Sequence, residues 1–239
     1  MLEFAKIYQK IPSAMHQNLT IPSPATEPQL MVRAQAIAGK TLGELAKELN
    51  IEVPQKILTA KGWAGQLLEK SLVADAGNLD EPDFRNLGIE LKTLPITPLG
   101  QPQESTYLCR IHLPLQEKTF LDSRVWRKCA RILWVPLQAH RDIPLSHRLI
   151  GTPILWSPSE PIRSILEQDW EELTDMMRQG HFDQLSAEHG TYLQIRPKAA
   201  HSKTLISVMN HSGHSIKIVP KGFYLRPCLT QEILKEHYL

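Results

Sequence analysis

The 239-residue chain is 42% hydrophobic and 22% charged, which suits a folded core, and it has no stretch near the roughly 18 apolar residues that a bilayer span requires. Its net charge of +2 is too mild to single out an acidic partner, because a nucleic-acid surface needs basic residues gathered on one face. Cys109, Cys129 and Cys228 are odd in number and form no Cys-x-x-Cys pair, which argues against a zinc site and a secreted disulfide scaffold. The opening residues lack a signal-peptide apolar run, so a soluble cytoplasmic protein is expected, with no membrane partner.

Residues 1–26 are expected to form an amino-terminal arm, since 11–28 is rich in Pro, Ser and Thr and has no usable period. Two helices follow at about 27–38 and 42–49, the second opened by Thr41 with Glu44 three positions on, the spacing of a capping box. A third, at about 64–75, carries Leu67, Leu68, Leu72 and Val73 at helical spacing and runs into a turn at Gly77 and Asn78. Strands are predicted in GIELKTLPI, STYLCRIHL, RILWVPL and TPILWSP, each bounded by Pro, Gly or polar turns, and these can make a mixed central sheet. A long helix over 160–177 should stop at Gly180, and TYLQIRP and HSIKIVPKGFYLRP precede a terminal helix over TQEILKEHYL. The fold class is α/β with mixed α and β elements, in one domain over 27–239 whose second lobe begins near 159.

The chemistry concentrates at Asp83 and at Glu90-Leu91-Lys92. Strand alternation puts Glu90 and Lys92 on one face and Leu91 on the other, so two carboxylates and an amine can converge at a sheet edge. Carboxylate oxygens are hard ligands that suit Mg2+, which can sit against a phosphate, acidify a water and neutralise developing charge. Lys92 could orient that water or stabilise the transition state. Taken alone the pattern is also what a solvated strand shows, since roughly one accidental match is expected in a chain of this size when the gap is left free.

The wording around the motif adds to this reading. KGWAGQLLE, EPDFRNLGIELKTLPI, RKCARILWVPL, GTPILWSP, QDWEELTDMM, YLQIRPKAA and PKGFYLR, in that order, closely resemble the MutH family of mismatch-repair endonucleases over nearly everything after residue 27. The resemblance implies a restriction-endonuclease-like core with two lobes, about 27–158 and 159–239, around a DNA-binding cleft. It implies a metal site at Asp83 and Glu90, with Lys92, Glu69 and Lys128 completing the catalytic set, and Lys61 as a DNA contact. It further implies nicking of the unmethylated strand at hemimethylated GATC sites, activation by MutL with MutS upstream, and action as a monomer. The longer arm and the Cys129-Ala130 pair depart from the family pattern without touching the carboxylates.

For recognition, Arg196-Pro197-Lys198 supplies two long cations around a rigid proline after a predicted strand, suited to guanine O6 and N7 or, read plainly, to an ordinary basic turn. Tyr224 aligns with the family tyrosine near the target adenine; its alternative is core packing. Tyr107 and Glu104 match positions near DNA and are given no role. His211 and His214 lack a third ligand at zinc spacing, and neither a Gly-x-Ser-x-Gly elbow nor a Walker loop is present. Two other readings remain: a GATC restriction enzyme cutting both strands as a dimer, and a binding module that has lost catalysis.

Overall fold

The computed structural model describes residues 21–55, 62–140, 142–198 and 204–238, so Lys61 and most of the expected arm lie outside the described residues. Three helices come first: α1 (Glu27–Ile37), α2 (Leu42–Glu48) and α3 (Trp63–Leu72). The Thr41 hydroxyl accepts from Glu44 N at 3.1 Å while Glu44 Oε2 accepts from Thr41 N at 2.8 Å, the reciprocal bonds that the Thr41/Glu44 spacing predicts. Helix α3 stops three residues short of the expected 75, because Val73 turns into the left-handed region at φ 60 and Ala74 N bonds back to the Glu69 carbonyl. A β-branched residue there is strained, and the turn ends the helix at Leu72, three residues past Glu69.

The remaining elements are β1 (Glu90–Ile96), β2 (Thr106–Arg110), α4 (Arg124–Cys129), β3 (Ile132–Gln138), β4 (Ile154–Trp156), α5 (Glu160–Arg178), β5 (Leu193–Pro197), β6 (Ile206–Met209), β7 (Ser215–Ile218), β8 (Lys221–Leu225) and α6 (Pro227–Tyr238). The strands do not join into one central sheet as expected. One sheet, β1-β3-β4, is mixed: β1 runs parallel to β3, pairing Glu90 with Ile132, and β4 is antiparallel. The other, β2-β8-β5, is wholly antiparallel with β8 in the middle, and β6 pairs with β7 as a ribbon. The run read over 214–227 breaks at Val219-Pro220 into β7 and β8, and the terminal helix starts at Pro227 rather than 230.

Two apolar clusters flank the mixed sheet, and β3 feeds both by alternation. Ile132 and Trp134 point into the cluster built with α5, α6 and the antiparallel sheet, while Leu133 and Val135 point into the cluster built by α1, α2 and α3. β1 does the same through Leu94 and Leu91, and Glu90 and Lys92 share the parity of Leu94. Arg131, next to β3, clasps Glu27 at the start of α1 through two bonds of 3.0 and 2.6 Å. Asp169 of α5 is 4% exposed, and its carboxylate accepts from Thr191, Tyr192 and Leu193 N at 2.7, 2.7 and 2.8 Å, fixing the entry to β5. Among the described residues no helix is long and apolar enough to cross a membrane, and Cys109, Cys129 and Cys228 are free thiols.

Candidate active site

Glu90 opens β1 and is only 3% exposed, yet its carboxylate is fully engaged: Lys92 Nζ stands 2.7 Å from Oε1 and Lys128 Nζ 2.8 Å from Oε2. Lys92 arrives by the two-residue period of the strand. Lys128 arrives on α4, a short helix whose N-cap Ser123 accepts from Trp126 N at 3.0 Å, and it also donates to the Glu81 carbonyl. Burying one carboxylate between two cations compensates charges that would otherwise be costly to desolvate.

Asp83 reaches the same place from the preceding loop. Its carbonyl accepts from Asp75 N at 3.0 Å and Ala76 N at 3.2 Å, and its Oδ2 accepts from Leu91 N at 2.7 Å, which clips the side chain to the backbone between Glu90 and Lys92. Burial pushes the Asp83 carboxyl up to about 6, the Glu90 charge adds to the rise, and the Leu91 N–H, Lys92 and Lys128 oppose it. Glu69, half-buried on α3, is also raised by burial, with Lys92 and Lys128 lowering it and Glu90 raising it. The structure therefore places Asp83 and Glu69 each within the fields of Glu90, Lys92 and Lys128.

Among the described residues no group of three or more His, Cys, Asp or Glu is arranged to hold a metal, and of the two carboxylates expected to bind one, Glu90 is ion-paired to Lys92 and Lys128 and Asp83 is bonded to Leu91 N. Such a pair suits magnesium, which binds one or two carboxylates and keeps waters and substrate phosphates for its other positions. Burial first and the Glu90 charge second lift Asp83, and a divalent cation would offset both, so the chemistry of this pair is compatible with that ion.

The recognition candidates lie on the antiparallel sheet. Tyr224 of β8 pairs with Gln194 of β5 on one side and Tyr107 of β2 on the other, and its ring meets Tyr107 edge-on with centroids 5.3 Å apart. Lys198 Nζ stands 4.0 Å from the Tyr107 ring centroid, a cation–π arrangement. A Cβ at Gly222 would come within 2.9 Å of the Cys109 carbonyl oxygen and 3.0 Å of Tyr107 Cε2, so the close approach of these strands needs glycine there. Arg196 and Pro197 are exposed at the end of β5, with Arg196 Nη1 donating to Ser105 Oγ at 3.1 Å. Tyr107, given no role from sequence, is thus the platform under Lys198 and beside Tyr224. Its place on a strand opposite the Tyr224 strand was the available signal, but pairing of β2 with β8 is not written in either segment.

A groove of about 560 Å3 brings members of the two sets together: Glu69 and Lys92 line it with Tyr107, Pro197, Lys198 and Tyr224, whereas Asp83, Glu90, Lys128 and Arg196 are not among its lining residues.

A family model described as DNA mismatch repair enzyme MutH matches residues 72–169, the stretch that holds Asp83, Glu90, Lys92 and Lys128. With its mixed α/β architecture and that domain, the chain falls in the restriction-endonuclease-like class. The DNA mismatch repair protein MutH of Vibrio parahaemolyticus serotype O3:K6 is 47% identical over 219 residues, which cover 91% of this chain and 97% of the relative. The proteins of the same name from Serratia proteamaculans and Escherichia coli O6:K15:H31 are each 45% identical, over 91% and 90% of this chain and 96% and 95% of their own lengths. The chain belongs to the MutH family of DNA mismatch repair enzymes.

Proposed function

We propose that this protein is the endonuclease of methyl-directed mismatch repair, nicking the unmethylated strand at hemimethylated GATC sites in duplex DNA by magnesium-assisted phosphodiester hydrolysis. The observation that carries the reading is the single groove joining Glu69 and Lys92 to Lys198 and Tyr224, since a site-specific nuclease must place base-reading groups and hydrolytic groups along one duplex. The walls of that groove belong to two lobes around a DNA cleft, in a chain that acts as a monomer in the cytoplasm and is activated by MutL, with MutS upstream.

A magnesium ion held by Asp83 and Glu90 would supply charge neutralisation at the scissile phosphate and a more acidic water. Lys128 fixes the second oxygen of Glu90, so the carboxylate is presented in one orientation. Lys92 brings its ammonium to the groove wall, where it stabilises charge gathering on the phosphoryl oxygens. Glu69 faces the same space with a carboxyl that burial holds above its usual range, and it provides an acid–base group beside Lys92. Arg196 and Lys198 address guanine O6 and N7, and the backbone between them offers an acceptor to adenine N6. The Tyr224 ring is the wall against which an N6-methyl would press.

Supercoiled plasmid carrying one hemimethylated GATC, incubated with magnesium and MutL, tests this. Open circles cut only in the unmethylated strand support the proposal. Predominantly linear product supports a dimeric restriction enzyme, and no scission with retained GATC binding supports a binding module.

A further inference from the structure

Beside the Asp83 loop stands a cation that the chemistry above does not use. Arg124 is the first residue of α4, and its side chain is 17% exposed. Its Nη2 lies 2.5 Å from Asp80 Oδ1, and its Nη1 donates to the Arg110 carbonyl at 3.3 Å and lies 3.0 Å from the His112 ring nitrogens. Arg127 adds a longer approach to Asp80 Oδ2, at 3.9 Å. One turn after Arg124, on the same face of the helix, Lys128 holds the Glu81 carbonyl and Glu90. Helix α4 therefore grips two successive residues of the loop that ends in Asp83, while Asp75 N and Ala76 N hold the Asp83 carbonyl from the other end.

We propose that Arg124 is a positioning residue for this reaction: through Asp80 it pins the loop over 80–83 to α4 and so sets Asp83 against Glu90 and Lys128. An isolated exposed ion pair orders little, because both side chains must be fixed for one screened attraction. Here the guanidinium is already held by the end of β2, so only the loop is ordered by making the pair. The geometry is directional as well: the anchor is the helix that supplies Lys128, so a slack loop would separate Asp83 from the cation on which Glu90 depends. The pair borders an open cavity of about 590 Å3 also lined by Lys118 and Arg127, which makes a phosphate contact by these cations the competing explanation of any defect.

The inference rests on the nuclease reading, and the test separates the two. Arg124→Gln, Asp80→Asn, the double variant and Arg124→Lys are compared with the full chain in three measurements. These are the single-turnover nicking rate at saturating DNA, DNA affinity without metal as a function of salt, and amide hydrogen exchange at Leu91, Asp75 and Ala76 in the metal-free, DNA-free protein. Either single substitution should slow nicking about ten-fold, as small misplacements of reacting groups do. Metal-free affinity should stay within about two-fold, well under the ten-fold that one decade of Kd represents. Exchange at the three amides should quicken while β3 and α5 stay protected, the double variant should be no slower than the worse single, and Arg124→Lys should recover part of the rate. An unchanged rate, losses that multiply in the double variant, a fall in affinity with a shallower salt slope, or exchange that rises throughout the fold would each overturn the proposal. If the unsubstituted protein fails to nick, the nuclease reading falls, while the exchange measurement still reports whether Arg124 places Asp83.

Discussion

Asp83→Asn removes the ionisable proton from a carboxyl that the fold holds at about 6 against an ordinary 3.8. At about 1.36 kcal/mol per tenfold change, ionised Asp83 is disfavoured in the folded state by about 3 kcal/mol relative to the unfolded chain. The pKa is raised, so between 3.8 and about 6 the folded protein carries more protons than the unfolded one, and stability falls as pH rises through that window and stays lower above it. Asparagine is neutral throughout, and its carbonyl can still accept from Leu91 N. Allowing about half of the gain to be lost to relaxation and to a compact denatured state leaves about 1–2 kcal/mol, a rise of about 4 °C in Tm for a chain of this size. Thermal unfolding of the metal-free protein should show that rise at about pH 7.5 and none by about pH 3, below the unfolded value, while nicking is lost. An asparagine variant that melts at or below the parent at the higher pH, or a gap that does not change with pH, would refute the reasoning that burial and Glu90 lift Asp83.

Glu90→Ala and Lys92→Ala should each slow nicking by at least about 100-fold, as loss of a preorganised charge does, with duplex affinity measured by anisotropy largely kept. Substantial magnesium-dependent cleavage by Glu90→Ala would dismiss the proposed donor set. Tyr224→Ser should keep cleavage of unmethylated GATC and narrow its advantage over methylated sites, read as the nicking rate on each strand of three duplexes that differ only in methylation. Retention of the full preference would move methyl sensing to the backbone of Arg196-Pro197-Lys198. Asp169→Ala strands three backbone N–H groups and should cost about 3 kcal/mol, lowering Tm by about 6–10 °C; a melt unchanged within about 1 °C would show that the entry to β5 is held by other contacts.

Local signals carried most of the elements. The Thr41 capping box, the Leu67-Leu68-Leu72 face and the alternation that unites Glu90 with Lys92 are all short-range patterns, and each appears in the structure where the spacing puts it. Helix α4 was missed because six residues give no room for a period: Val125 and Cys129 are its buried positions and basic residues surround them. β6 was missed because its Ile206–Met209 run buries Val208 alone. Asp83 could be named from the motif but not placed, since its position depends on the fold of 75–90, where Asp75 and Ala76 catch its carbonyl. The division into two sheets was illegible for a similar reason. Which strand pairs with which is decided by tertiary contacts, and β2 finds β8 across more than a hundred residues of chain. Arg124 and Asp80 carry no motif at all; only their juxtaposition gives them meaning.

The alternation of β1 and β3 into two apolar clusters has a mechanical consequence. A strand packed on one side can shift whenever its single neighbouring layer repacks, but β1 is clamped like a beam between two layers, and a displacement that relieves one compresses the other. Glu90 and Lys92 lie on that beam, and Lys92 shares the groove lining with Tyr107 and Tyr224 of the antiparallel sheet. Because the antiparallel sheet belongs to one of those two layers, the same clamp that holds Glu90 and Lys92 two residues apart on β1 also fixes the strand against the sheet that carries Tyr107 and Tyr224.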